Sequence, residues 1–203
     1  PIFAWALAQG FRYSSNRRAY FKRLVVFAFI SQLPYSFLNP GAVFTLYKLN
    51  QLFQFALSFI LLNLYEKRKK SKWFYLLAMG LLLLPDLIQY FFPPFSLGYG
   101  SYGLMLSLLF YLIRDPFEQI LGYVLISIYG SISSGLIYGT SFSVIIQGFA
   151  GLDGFIFQWR SILALPLIQI SERLPKKRVP KYLFYFFYPV HIAILVIIYK
   201  VFY

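Results

Sequence analysis

QILGYVLISIYGSISSGLIYGTSFSVIIQGFAGL, running from Gln119 to Leu152, carries no charged side chain over 34 residues. A membrane-crossing helix needs about 20 apolar residues, so this stretch is too long for one span. Gly, Ser and Thr gather near 139–143 and mark a turn inside it. The reading is therefore two spans, at 117–138 and 144–171. The second contains Asp153, Gly154 and Arg160, so a re-entrant piece followed by a shorter helix fits it equally.

The rest of the chain extends the same pattern outward. Of 203 residues, 60% are hydrophobic, 22% aromatic and only 12% charged. Soluble domains run about 45–50% apolar and about 25% charged. A soluble monomer of this length buries roughly 70% of its surface, so it would have to expose many aromatic and aliphatic side chains. The fold class is all-α, a polytopic transmembrane helix bundle forming a single domain over 1–203. Besides the two spans above, charge-free runs and breaks predict helices ending at Phe11 and covering 20–38, 42–65, 73–92, 99–113 and 182–199. Asn39-Pro40-Gly41 and Pro93-Pro94 separate neighbours, because proline lacks an N–H and restricts the residue before it. The count is about eight spans, the first short, so an N-terminal helix is expected to be missing.

The formal charge is +13, from 19 Lys and Arg against six Asp and Glu. Sixteen of the 19 fall on alternate links: Arg12 to Arg23, Lys67 to Lys72, Arg114, and Arg173 to Lys181. The positive-inside rule places those links in the cytoplasm of a multi-pass membrane protein. The basic charge thus reads as topology and contact with the lipid bilayer, not as a nucleic-acid surface. With no Cys and a single His, thiol chemistry and multi-histidine metal sites are excluded, and no metal is expected.

Four places carry candidate chemistry. His191 lies nine residues past Tyr182, about 14 Å into its helix and close to mid-membrane. An imidazole there either moves a proton or sits neutral, bonded to another helix. Tyr188-Pro189 precedes it, and Pro189 frees a backbone carbonyl beside it. Asp86, after Pro85, lies about 20 Å along its helix, where it can orient a base or substrate amine or merely reach interfacial water. Gly98-Tyr99-Gly100-Ser101-Tyr102-Gly103 spells G-x-G-x-x-G, but no strand–helix–strand unit surrounds it, so it is not a dinucleotide site. It fits a tight turn, or a helix start that offers free N–H groups to a substrate. Arg12 and Arg23 mix with aromatics at the basic face and suit the phosphates of a nucleotide-like donor or of lipid.

Four motifs resemble those of one family. Pro1-Ile-Phe-Ala-Trp-Ala-Leu-Ala-Gln-Gly-Phe11 with Tyr20-Phe-Lys-Arg-Leu24 is similar to F-P-I-F-A-F-L-x-x-E-G-F … Y-x-x-R-L. Phe27-Ala28, Ser31-Gln32-Leu33-Pro34-Tyr35 and Phe44-Thr45-Leu46 continue it. Tyr99-Gly100-Ser101-Tyr102-Gly103 and Phe110-Tyr111-Leu112-Ile113-Arg114 resemble Y-G-x-x-G … F-Y-L-x-R. Lys181-Tyr182 through Tyr188-Pro189-Val190-His191 resembles K-Y-x-F-Y-x-F-Y-P-x-H. The chain so resembles the TraX family, named for the enzyme that N-acetylates conjugative F pilin. The resemblance implies an integral-membrane acyltransferase that moves an acetyl group from cytoplasmic acetyl-CoA to an amine or hydroxyl. The acceptor is expected to be destined for the surface: pilin, glycan or lipid.

On that reading His191, Tyr188 and Asp86 are the catalytic candidates. Arg12, Arg23 and Arg114 hold the acyl-CoA phosphates, and Tyr99, Gly100, Tyr102 and Gly103 meet the acceptor. Two departures stand out. Gln9 replaces the family's Glu, and the family's D-H-I-G helix is absent. Rival readings are a small transporter or flippase using His191 and Asp86 as a proton path, and a non-enzymatic scaffold of a surface assembly or conjugation system. No inverted repeat or pair of broken helices is visible, which disfavours transport.

Overall fold

The computed structural model describes residues 1–38, 44–68, 71–137, 139, 161–173 and 183–202. It is helical, with eight α-helices among the described residues. In chain order these are α1 (Ile2–Tyr13), α2 (Arg17–Ser36), α3 (Gln51–Arg68), α4 (Lys72–Phe91), α5 (Gly100–Leu112), α6 (Pro116–Ile137), α7 (Ala164–Arg173) and α8 (Leu183–Phe202). Two short strands, β1 (Lys48–Leu49) and β2 (Ser96–Leu97), pair in parallel.

Against the expected eight spans, three helices among the described residues are long and apolar enough to cross a membrane: Trp73–Phe91, Pro116–Ile137 and Tyr185–Phe202. In each, only 17–22% of the best window is buried, so most of the apolar surface faces outward, as on a helix packed in lipid. The start of α2 is too basic to meet that measure, and α5 is apolar but short. The expected turn near 139–143 and the expected helix over 144–171 lie largely outside the described residues, as do Asp153 and Arg160.

Local sequence fixes most helix starts. Asn16 Oδ1 accepts the Ala19 N–H at 2.9 Å and caps α2. Asp115 Oδ1 accepts the Phe117 and Glu118 N–H groups, with Pro116 in the first position of α6. Side-chain oxygens there satisfy donors that have no partner within the helix. The span expected over 42–65 is corrected: α3 begins at Gln51. Asn50 ends the preceding segment, with Oδ1 accepting the Leu52 N–H at 2.9 Å. Its amide also donates to Ala28 O at 2.7 Å and to Gln32 Oε1 at 2.9 Å. Gln32 in turn donates to Thr45 O and Lys48 O. Gln32 and Asn50 are both fully buried. They fold the chain back along α2, so α3 starts part-way down the bundle.

A regularity invisible in the sequence follows. α2–β1–α3 and α4–β2–α5 are two helix–strand–helix units whose strands pair with each other. Both α3 and α5 thus start inside the bundle. Two cores flank them. Leu7, Phe11, Phe27, Phe59, Leu62 and Tyr185 form one, and Ala8, Tyr102, Leu106, Phe110, Tyr123 and Leu165 the other. Ala4 and Ala8, one turn apart, let α1 approach α5 closely.

Candidate functional site

Hydrogen bonds join the two inner helix starts into a continuous polar band. Tyr188 on α8 extends its Oη over the start of α3, where it accepts the Gln51 N–H at 3.1 Å. The Gln51 side chain donates to Gln54 Oε1 at 2.6 Å. Gln54 Oε1 accepts the Tyr99 N–H at 2.9 Å, and Gln54 Nε2 donates to Gly100 O at 3.2 Å. Asp86 on α4 then accepts the Ser101 N–H at 2.8 Å. It also accepts Tyr129 Oη at 3.0 Å and Ser133 Oγ at 2.6 Å from α6.

Glycine makes this packing feasible. Gly98 and Gly100 have φ of 51° and 57°, a region L-residues rarely adopt. A Cβ on Gly100 would fall on Asp86 Oδ1, and one on Gly103 would fall on the Gln54 amide.

A cavity lies at each end of the band. One, of about 790 Å³, begins at the α1–α2 link among Tyr13, Ser14, Ser15 and Asn16. It passes Arg23 and Leu24 and reaches Leu52, Phe55 and Tyr188. Arg23 Nε is buried without a hydrogen-bond partner among the described residues, and its guanidinium lies 5.7 Å from the Tyr185 ring centroid. The other cavity, of about 240 Å³, is lined by Asp86, Gln89, Ser96 and Gly98 to Gly100, with Tyr102 and the Ser127–Ser134 face of α6.

The structure therefore groups the sequence candidates in two sets. Asp86, Tyr99, Gly100 and Tyr102 share the smaller cavity, and Gly103 backs it by making room for Gln54. Arg23 and Tyr188 share the larger one. His191, Arg12 and Arg114 line neither.

His191 is partly exposed on α8, stacked on Phe187 at 5.0 Å and edge-on to Tyr188 at 5.5 Å between centroids. Its Nδ1 lies 3.0 Å from Phe187 O. A carbonyl only accepts, so Nδ1 is the donor in this contact. Arg12 donates to Tyr111 O at 2.6 Å and to Phe110 O at 3.4 Å, closing the end of α5. Arg114 is exposed. Glu172 on α7 accepts from both Trp5 Nε1 (2.8 Å) and Gln9 Nε2 (2.9 Å), so a carboxylate stands beside Gln9.

Sequence reasoning missed Gln51, Gln54, Tyr129 and Ser133. Gln51 with Gln54, and Tyr129 with Ser133, are spaced so that each pair shares one helix face. Polar pairs at that spacing inside apolar runs were the available signal.

The fold and site define a helical protein, with helices fit to cross a membrane, in which two cavities approach one internal polar band from different ends. A model of the family described as TraX protein matches residues 1–199. The chain belongs to the TraX family. Neither the curated proteins nor the solved structures compared with it contain a match.

Proposed function

We propose that this protein is an integral-membrane acyltransferase of the cytoplasmic membrane, with its basic links in the cytoplasm. It takes an acetyl group from cytoplasmic acetyl-CoA and passes it to an amine or hydroxyl of a surface-destined acceptor. Membership of the TraX family supports this reading. The observation that carries it is the larger cavity, which leads from the basic end past Arg23 to Tyr188. A long, thin thioester can lie there with its phosphates near the mouth and its acyl group at the inner end.

In this scheme Arg23 supplies charge to the donor. Arg12 and Arg114 line neither cavity; with the other basic links they add long-range attraction for the donor's phosphates. Tyr188 already accepts a hydrogen bond from Gln51, so its own O–H is available for the oxygen of the thioester carbonyl. His191, against the Tyr188 ring, serves as the proton-holding group. The acceptor occupies the Asp86 cavity with Tyr99, Gly100 and Tyr102 around it, and Gly103 behind them makes room for Gln54.

The test is transfer of label from [14C]acetyl-CoA in membranes carrying the protein. Label is expected in a membrane or surface acceptor, and the acceptor should lose an acetyl mass when the protein is removed. Movement of a substrate across the membrane with no label transferred would refute the reading.

A further inference from the structure

Two polar side chains stand along the larger cavity below its mouth, and the scheme above uses only one of them. Tyr20 and Arg23 both line that cavity. They are three positions apart on α2, a spacing that puts them on one helix face. Arg23 stands seven residues past the capping Asn16, about 10 Å along the helix. Its Nε is buried and has no hydrogen-bond partner among the described residues. The Tyr20 hydroxyl makes no hydrogen bond to a described residue either. None of the residues lining the cavity is a carboxylate, so the guanidinium charge faces that space uncompensated.

Packing holds both groups in place. The Tyr20 ring lies edge-on to Phe59 at 5.4 Å and to Tyr185 at 6.2 Å between centroids. The Arg23 guanidinium lies 5.7 Å from the centroid of the same Tyr185 ring, so Tyr185 braces the two. The Tyr20 hydroxyl ends over the backbone of α1 at Gly10, where a Cβ would fall on it. Gly10 therefore gives the hydroxyl its place in the cavity wall.

A buried charged group without a partner is costly, and an anion in the cavity offsets that cost. Guanidinium groups bind phosphate well, through parallel N–H bonds to two of its oxygens. Further oxygens remain for a phenol O–H, which can donate as well as accept.

We propose that Tyr20 and Arg23 together bind one phosphate group, Tyr20 donating its O–H to an oxygen that the guanidinium leaves free. The phosphate belongs to a nucleotide-like donor or to a lipid headgroup. In the first case the inference rests on the acyltransferase reading and adds Tyr20 to its donor site. In the second it stands without that reading.

The test reads binding, not acetyl transfer, on the full chain in nanodiscs. In phosphatidylcholine discs, coenzyme A is titrated by calorimetry, with pantetheine as the phosphate-free probe. In discs that also contain phosphatidylglycerol, native mass spectrometry counts the lipid retained by the released protein. Tyr20→Phe keeps the ring and its aromatic contacts and removes only the hydroxyl; Arg23→Gln removes the charge. Each is expected to weaken coenzyme A binding about tenfold and to leave pantetheine unchanged. If the phosphate comes from lipid, coenzyme A binds no better than pantetheine, and the parent retains a phosphatidylglycerol that both variants lose. That outcome keeps the site and moves the donor elsewhere. The proposal is overturned if the parent binds neither phosphate, or if folded Tyr20→Phe binds the phosphate as tightly as the parent. Should Tyr20→Phe not fold, Gly10→Ala displaces the same hydroxyl, and unchanged binding there overturns the proposal equally. Acetyl transfer that persists after either of those results leaves the acyltransferase standing without this site.

Discussion

Gly103→Ala tests whether the inner start of α5 is locked by Gln54. In an ordinary helix this change is favourable by about 1 kcal/mol, since glycine is the poorer helix former. Here the new Cβ falls on the amide of Gln54, which is fully buried and bonded on both ends. The amide has to move. Overpacking of this kind costs about 1–3 kcal/mol. Displacing the amide also strands the Tyr99 N–H or the Gly100 carbonyl, at about 1–3 kcal/mol for each buried group left unpaired. Offset by the helix gain, a net loss of about 1–5 kcal/mol is expected. Gln54→Ala alone should cost a similar amount, because it strands the same groups. The double variant removes the clash, so its loss should fall short of the sum by about 1–3 kcal/mol, the coupling typical of residues in contact. Reversible SDS unfolding in mixed micelles, read by tryptophan fluorescence, measures all three. Strictly additive losses would refute the packing argument and return Gly103 to direct contact with the acceptor.

Three other outcomes follow from the same geometry. Asp86→Asn keeps an oxygen for the Ser101 N–H but turns an NH2 toward the Tyr129 and Ser133 hydroxyls; a stability loss of about 1.5–3 kcal/mol is expected in the same unfolding assay. Arg23→Ala should raise the apparent KM for acetyl-CoA about tenfold to a hundredfold, the worth of one charge-assisted contact; an unchanged KM places the phosphates elsewhere. His191→Gln should lower acetyl transfer by about 10²–10⁴-fold if the ring holds the proton, and undiminished transfer in membranes removes it from the chemistry.

The helix order was readable because charge and proline punctuate it. The spans expected over 20–38 and 117–138 begin in the structure at Arg17 and Pro116, capped by Asn16 and Asp115. The start of α3 was not readable, because Leu24 to Tyr47 offers no charge to mark a re-entry. What decides it is the pairing of Asn50 with Gln32, 18 positions away, and periodicity within one segment is blind to such pairs. The cluster around Asp86 was partly readable. Asp86 and Ser101 stand at nearly equal distances from the Pro93-Pro94 break, so antiparallel neighbours bring them level. The Gln51–Gln54 bridge depends on two helices starting at the same depth, which follows from the β1–β2 pairing and from nothing local.

Charge alone also failed to rank the arginines, and burial explains why. The basic residues of the alternate links orient the chain whether or not they touch a ligand. Arg12 spends its donors on the carbonyls that end α5, and Arg114 stands in the open. Arg23 differs because its Nε is buried with no hydrogen-bond partner among the described residues while the side chain borders a cavity. Keeping a buried guanidinium donor unpaired is costly. A role in topology does not require that cost, since an exposed arginine orients the chain equally well. A cavity that admits an anion would account for it, which is why the proposed scheme assigns the donor's charge to Arg23 among these three residues.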